Sequence, residues 1–337
     1  MIKINKTIEN INSPWYIKLL QGFSGWLGAF FFLIFFGGFF STILKIDINK
    51  YPLSLIPVGI LLIAIAYNNL KEKQSDFNEQ FTLAFSVTGQ ALIILSIVLF
   101  FKNTNSIGIY VFVVLFQAFL VWLIHNYIHR MLSTFFMISA SAYIFGSYLF
   151  LLILVSIITW IWMNEFKFKI HKQIESIAYG LTFSLVNLLF SLPFVHNISY
   201  IYHKNALFLN TPLWLIYISS FASLSYIVYL ILKDLDKLND KKVLISSMIV
   251  VLFISIITSQ IQGLIICIIL LLIGFAHSFK LLIGLGIFGT IAFISNYYYY
   301  TGETLLDKSI LLAILGLVFL AIYFVFKFVF KKEIKNV

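Results

Sequence analysis

A single all-α bundle, a polytopic integral membrane protein of about twelve transmembrane helices with both termini cytoplasmic, is expected of this 337-residue chain on three grounds. Composition is the first. Hydrophobic residues make up 61% of the chain and charged residues 11%, against roughly 45–50% and about 25% in soluble domains. With a mean hydropathy of +1.00, too little polar surface remains to coat a water-soluble globule, so lipid must solvate most of the exterior. The second ground is a series of charge-free runs of spanning length. The third is the uneven distribution of Lys and Arg between them.

Segment 1–21 is placed in the cytoplasm, and run 22–44 follows it as the first helix. That run is longer than a signal-peptide core and no small-residue cleavage site follows, so it is retained. Runs 52–70, 81–101 and 107–124 come next, each close to the ~20 residues needed to cross a hydrocarbon layer about 30 Å thick. Stretch 131–163 is too long for one ordinary span and is divided at Gly146-Ser147. Runs 177–195 and 211–232 flank the longest outer loop, 196–210. Stretch 243–279 is divided at Ser259-Gln260-Ile261-Gln262-Gly263, whose polar residues and glycine interrupt an apolar run. Runs 281–300 and 309–326 complete a single transmembrane domain over 22–326, and 327–337 forms a basic cytoplasmic tail. The halves of the two divided stretches are short for a full crossing, so complete and re-entrant hairpins both remain open for them.

Sidedness tests the two divisions. Twelve spans with an inner N-terminus put 18 of the 23 Lys and Arg on the cytoplasmic side. Fusing 131–163 into one helix gives 8 inside against 15 outside, and fusing 243–279 alone gives 14 against 9. Only the twelve-helix threading satisfies the positive-inside rule strongly.

The net charge of +10 resides in short loops, where it orients the chain and meets anionic headgroups. No basic helix or aromatic-and-basic module lies outside the spans, so nucleic acid is not an expected partner. The single cysteine, Cys267, precludes an internal disulfide. Gly284, Gly286 and Gly289 match a dinucleotide-binding pattern, but that fingerprint needs a preceding strand and none is expected here. They are assigned to helix packing, as are Gly22, Gly25 and Gly28. No cofactor is implied. No ionisable group falls in the middle of a span, which disfavours ion-coupled transport. The deep polar groups are neutral: Gln90, Gln117, Asn187, Gln260 and Gln262 could join helices or line a path for a neutral or lipidic solute.

Two constellations stand out. His125 and His129 lie four apart at the inner end of the fourth span, a spacing that can hold a metal on one helical face if His171, Glu165 or Glu175 adds a ligand. A cluster of interfacial headgroup contacts is the plainer alternative. At the outer end of the last helical pair, Tyr297, Tyr298 and Tyr299 precede Thr304-Leu305-Leu306-Asp307-Lys308-Ser309. The tyrosines suit a membrane interface belt, and Thr304 with Asp307 suits a capping box opening the final helix. Lys308 then sits in a first turn, where the helix dipole disfavours a cation, so Asp307, Glu303 or an anionic partner is expected beside it.

The Tyr-rich turn followed by Thr304-Leu305-Leu306-x-Lys308-Ser309 resembles the C-terminal signature of an uncharacterised bacterial multi-pass membrane family. Pro14-Trp15-Tyr16, Leu20, Gly22 and Gly25-Trp26-Leu27 resemble its opening. The family carries only a domain-of-unknown-function label and accompanies proteins with a GDYXXLXY motif. The resemblance implies a bacterial inner-membrane location and a GDYXXLXY-type envelope partner, and it transfers no catalytic residues. The leading expectation is a non-enzymatic membrane component or scaffold that receives an envelope partner through Tyr297–Tyr299, Thr304, Asp307, Lys308 and Ser309. A permease for a neutral or amphiphilic solute is the alternative, and a membrane-embedded enzyme using His125 and His129 comes third.

Overall fold

The computed structural model describes residues 14–43, 51–71, 75–101, 107–145, 148–164, 171–202, 214–234, 236–258, 263–300 and 304–310, with 312–314, 316–317 and 320. Among them the chain is all-α. The helices are α1 (Trp15–Ile43), α2 (Leu55–Asn69, entered through a 3-10 turn at Pro52–Ser54), α3 (Asp76–Phe101), α4 (Ile107–Leu123), α5 (Tyr127–Phe145) and α6 (Tyr148–Asn164). They continue as α7 (His171–Tyr202), α8 (Trp214–Asp234), α9 (Lys241–Thr258), α10 (Leu264–Ala276) and α11 (Lys280–Tyr300). Further helical residues begin at Leu305.

Both divided stretches are pairs of helices. The first separates between Phe145 and Tyr148, the second between Thr258 and Leu264. Gly263 has φ +89°, a left-handed conformation natural to glycine, and opens α10 there. The expected loop 196–210 is corrected at its start, because α7 continues to Tyr202 and carries Pro193 within it. Three helices among the described residues are long and apolar enough to cross a membrane: Pro52–Asn69, Asp76–Phe101 and Lys280–Tyr299. Shorter apolar helices include Ile107–Leu123 and Leu264–Ala276. The N-terminal 1–13, Gln260, Gln262 and the basic tail 327–337 lie outside the described residues.

The chain divides into two compact units, 1–133 and 134–337. In the first, α3 is the centre, packed by α1 and α2. The α1–α3 contact is aromatic. Phe81 stacks with Phe77 at 5.8 Å and lies 4.6 Å from Phe85, which in turn meets Phe32 at 5.1 Å. Trp26 Nε1 donates to Gln80 Oε1 at 3.0 Å beside it. Gly25 permits this approach, since a Cβ there would stand 2.8 Å from the Phe77 carbonyl oxygen. Gly22 and Gly28 also face α3, at ordinary van der Waals range.

The α2–α3 crossing is closer still. A Cβ on Gly89 would lie 2.6 Å from the Gly59 carbonyl oxygen, and one on Gly59 would lie 2.7 Å from the Gly89 carbonyl oxygen. Backbone meets backbone at this point, the arrangement small residues allow between apolar helices. Below it Ile63, Ile93, Leu120 and Ile124 form a buried cluster that brings in α4.

In the second unit α10 is largely enclosed, with Leu264 to Leu270, Ile273 and Gly274 all buried. It packs on α11, α8, α6 and α9. Gly286 and Gly289 make the α10–α11 contact possible. Their added Cβ atoms would fall 2.5 Å from Leu271 Cγ and 2.6 Å from Cys267 Sγ. Gly284 is a correction: nothing lies within 4 Å of the Cβ it lacks, because that face of α11 is open. Trp162 on α6 is fully buried, donates Nε1–H to Thr182 Oγ1 at 3.0 Å, and meets Tyr179 and Phe279 edge-on or tilted.

Candidate functional site

Polar side chains collect inside the first unit. Ser86 and Gln90 lie one turn apart on α3, Gln117 comes from α4, and His129 and Ser133 are one turn apart on α5. All five are buried, with Ser86, Gln117 and Ser133 fully so. Gln117 Nε2 donates to Gln90 Oε1 at 3.0 Å. Gln90 Nε2 lies 3.1 Å from His129 Nε2 and 3.4 Å from Ser86 Oγ, and Ser86 Oγ is 2.8 Å from the same imidazole nitrogen. Ser133 Oγ is 3.4 Å from His129 Nδ1.

The orientations of the two amides set the direction of donation. The oxygen of the Gln90 amide already accepts from Gln117, so its nitrogen faces His129, and an amide nitrogen only donates. His129 Nε2 is therefore the acceptor, the imidazole is neutral, and the proton on Nδ1 points to Ser133. Donation runs one way, from Gln117 through Gln90 to His129. At its head, Gln117 Oε1 is buried and has no hydrogen-bond partner. Buried hydroxyls without partners also occur at Thr134, Ser139, Thr159, Ser219, Ser220 and Ser225. Having no partner, none of these belongs to a connected series.

The turn from α4 into α5 holds His129 in place. Asn126 caps α5 by accepting from the His129 backbone N–H at 3.1 Å, while its own Nδ2 donates to Glu79 Oε1 on α3 at 2.7 Å. Arg130, also buried, donates Nε–H to the Val121 carbonyl at 3.1 Å in the last turn of α4, where the helix dipole favours a cation. Removing the cap in Asn126→Ala is expected to lower stability by about 1 kcal/mol, read as a lower melting temperature of the purified chain. An unchanged melt would show that Arg130 alone holds the turn.

The two histidines part company here. His125 precedes α5, is exposed, and has Nδ1 3.2 Å from the Leu123 carbonyl. The i, i+4 reading assumed one continuous helix, but residues 124–126 form the turn between two. No group of three or more His, Cys, Asp or Glu among the described residues could hold a metal ion. Of the suggested third ligands, Glu165 and the His171 side chain lie outside the described residues.

At the other candidate, Thr304 Oγ1 donates to Asp307 Oδ2 at 2.6 Å and accepts from the Asp307 N–H at 3.2 Å. The Thr304–Asp307 pair thus opens the final helix as a reciprocal cap, and Ser309 donates to the Leu305 carbonyl at 2.8 Å. Lys308 has a backbone partner that the sequence did not point to. It is 6% exposed, and its Nζ donates to the Tyr298 carbonyl at 2.9 Å. That carbonyl belongs to the last turn of α11, so the cation disfavoured by one helix serves the negative end of another. Tyr298 and Tyr299 meet edge-on at 5.2 Å, and Tyr299, Leu305 and Leu306 are largely exposed; Tyr297 is half-buried, and Glu303 lies outside the described residues. Lys308→Met keeps the stem and deletes the charge. It should cost about 1 kcal/mol, measurable as faster proteolysis at the turn, whereas unchanged cleavage would mean the carbonyl contact contributes nothing.

Gln90, Gln117 and His129 are each conspicuous in the sequence, but their convergence is not. Ser86, Ser133 and the Glu79–Asn126 pair give no separate signal beyond the four-residue spacing of Ser86 and Gln90 on one face of an apolar helix.

Fold and site together define an apolar, all-α protein whose first unit encloses a neutral, one-directional hydrogen-bond series. The chain belongs to the family described as Domain of unknown function (DUF4401), which matches residues 14–329. No curated protein and no solved structure matches it.

Proposed function

We propose that this chain is a multi-pass protein of a bacterial cytoplasmic membrane that binds a small neutral solute in its first unit and facilitates its passage without catalysis. The membrane reading is supported by the apolar composition and by the large side chains left exposed on the helices, among them Phe23, Phe35, Leu115, Trp122, Phe253 and Phe288. Lipid is the partner that such faces suit. The twelve-span threading with both termini inside is the topology that the Lys and Arg distribution favours.

The observation that carries the solute reading is Gln117 Oε1, a buried acceptor left open at the head of a connected polar series. A buried polar atom without a partner costs about 1–3 kcal/mol, and a ligand that donates to it removes that cost. Purified chain in lipid vesicles should admit neutral solutes faster than empty vesicles do. If a broad panel enters both at the same rate, the reading fails.

A docking role is the second reading, favoured by the exposed Tyr299, Leu305 and Leu306 on a turn fixed by two sets of hydrogen bonds. Its partner would be a GDYXXLXY-type envelope protein. Lys308 supports the turn in this version and does not contact the partner. Co-purification lost in Leu305→Glu but retained in Lys308→Met supports docking, and wild type that brings down no envelope protein removes it.

A further inference from the structure

We infer that the ligand of the first unit is a small neutral hydrogen-bond donor, an O–H or N–H compound, and that Gln117 Oε1 is the atom it reaches. This rests on the solute reading above and specifies the chemistry of that site. Donation within the series proceeds from Gln117 through Gln90 to the His129 imidazole. Gln117 Nε2 is engaged with Gln90, and the atom at the head of the series that has no partner is the acceptor Oε1. A ligand that could only accept would meet Oε1 lone pair against lone pair.

Charge is refused on separate grounds. The groups that converge are Ser86, Gln90, Gln117, His129 and Ser133, all neutral. Glu79 accepts from Asn126, and Arg130 directs its Nε–H to the Val121 carbonyl, so neither is bonded to a member of the series through these contacts. An ion brought to the Gln117 amide would lose its hydration and meet only neutral members of the series. Carboxylates and phosphates therefore do not suit the site, whereas polyols, urea and water do.

The test uses the full chain in vesicles and stopped-flow light scattering, with erythritol and urea as donors, trimethylamine N-oxide as a neutral acceptor, lactate as an anion, and an osmotic shift for water. Erythritol or urea should enter faster than in empty vesicles, and trimethylamine N-oxide and lactate should not. Gln117→Met keeps the volume and removes the acceptor. It should cut donor entry roughly tenfold, the effect of one lost hydrogen bond. If that variant does not fold, Gln117→Asn, which withdraws the amide by one methylene, should show the same direction of change. Water alone responding to Gln117→Met supports the donor chemistry with water as its source, and polyol or urea responding identifies a solute. Trimethylamine N-oxide or lactate entering as fast as erythritol overturns the inference while facilitated passage stands. Donor entry that is untouched by both substitutions in folded protein also overturns it. No solute or water entering faster than in empty vesicles removes the solute reading itself.

Discussion

Gly89→Val should unfold the first unit more readily than any exposed substitution, because the β-carbon arrives 2.6 Å from the Gly59 carbonyl oxygen. Ile63 Cγ1 at 2.9 Å and Leu62 Cβ at 3.1 Å close the remaining sides. A flexible side chain could swing away, but a carbonyl of a neighbouring helix moves only if the helix moves. Replacing glycine inside a helix gains up to about 1 kcal/mol of propensity, while overpacking costs about 1–3 kcal/mol or more. The clash should win, and the displaced α2 would also strip cover from Ile63 and Ile93. Gly284→Ala is the matched control. Nothing lies within 4 Å of its new methyl, so it should be neutral or stabilising by up to about 1 kcal/mol. Thermal melts of the two purified variants in one detergent give the comparison. Equal shifts would show that the α2–α3 crossing is looser than its geometry implies.

His129→Leu should be the most damaging polar substitution. It leaves Gln90 Nε2 and Ser86 Oγ without the nitrogen they both face, at about 1–3 kcal/mol for each buried group left unpaired. A total of about 2–4 kcal/mol follows on the same scale, since Gln90 keeps its contact with Ser86. His125→Leu, on the exposed turn, should stay within about 0.5 kcal/mol of wild type. The pair separates a core imidazole from a surface one four residues away. Matching losses of stability would contradict the enclosed position of His129.

The helix boundaries were legible where polarity interrupts an apolar run. Helices end and begin on either side of Gly146-Ser147 and of the segment that leads to Gly263, and the Lys and Arg distribution favoured the same divisions. Helix faces were not legible. In a chain whose exterior is as apolar as its core, the 3.6-residue alternation that orients a soluble helix is lost, so nothing in the sequence aims Gln90, Gln117 and His129 at one another. A local rule also misled at the histidines. Four-residue spacing suggested a shared face for His125 and His129, yet the chain turns at residues 124–126. At Lys308 the described partner is a carbonyl ten residues earlier, which local spacing does not point to. Gly59 and Gly89 were invisible for a simpler reason: each is a solitary glycine in its helix, and only the crossing gives them meaning.

The brevity of α10 bears on how the protein is made. Thirteen residues extend about 20 Å, well short of a hydrocarbon layer of about 30 Å. On the membrane reading, such a segment cannot be released from the insertion machinery into lipid by itself with both ends wetted. It must wait for company, and α11, whose Gly286 and Gly289 accept it most intimately, emerges next from the ribosome. Truncation after residue 279 should therefore leave the nascent segment stalled or expelled, while extending synthesis through residue 300 rescues it.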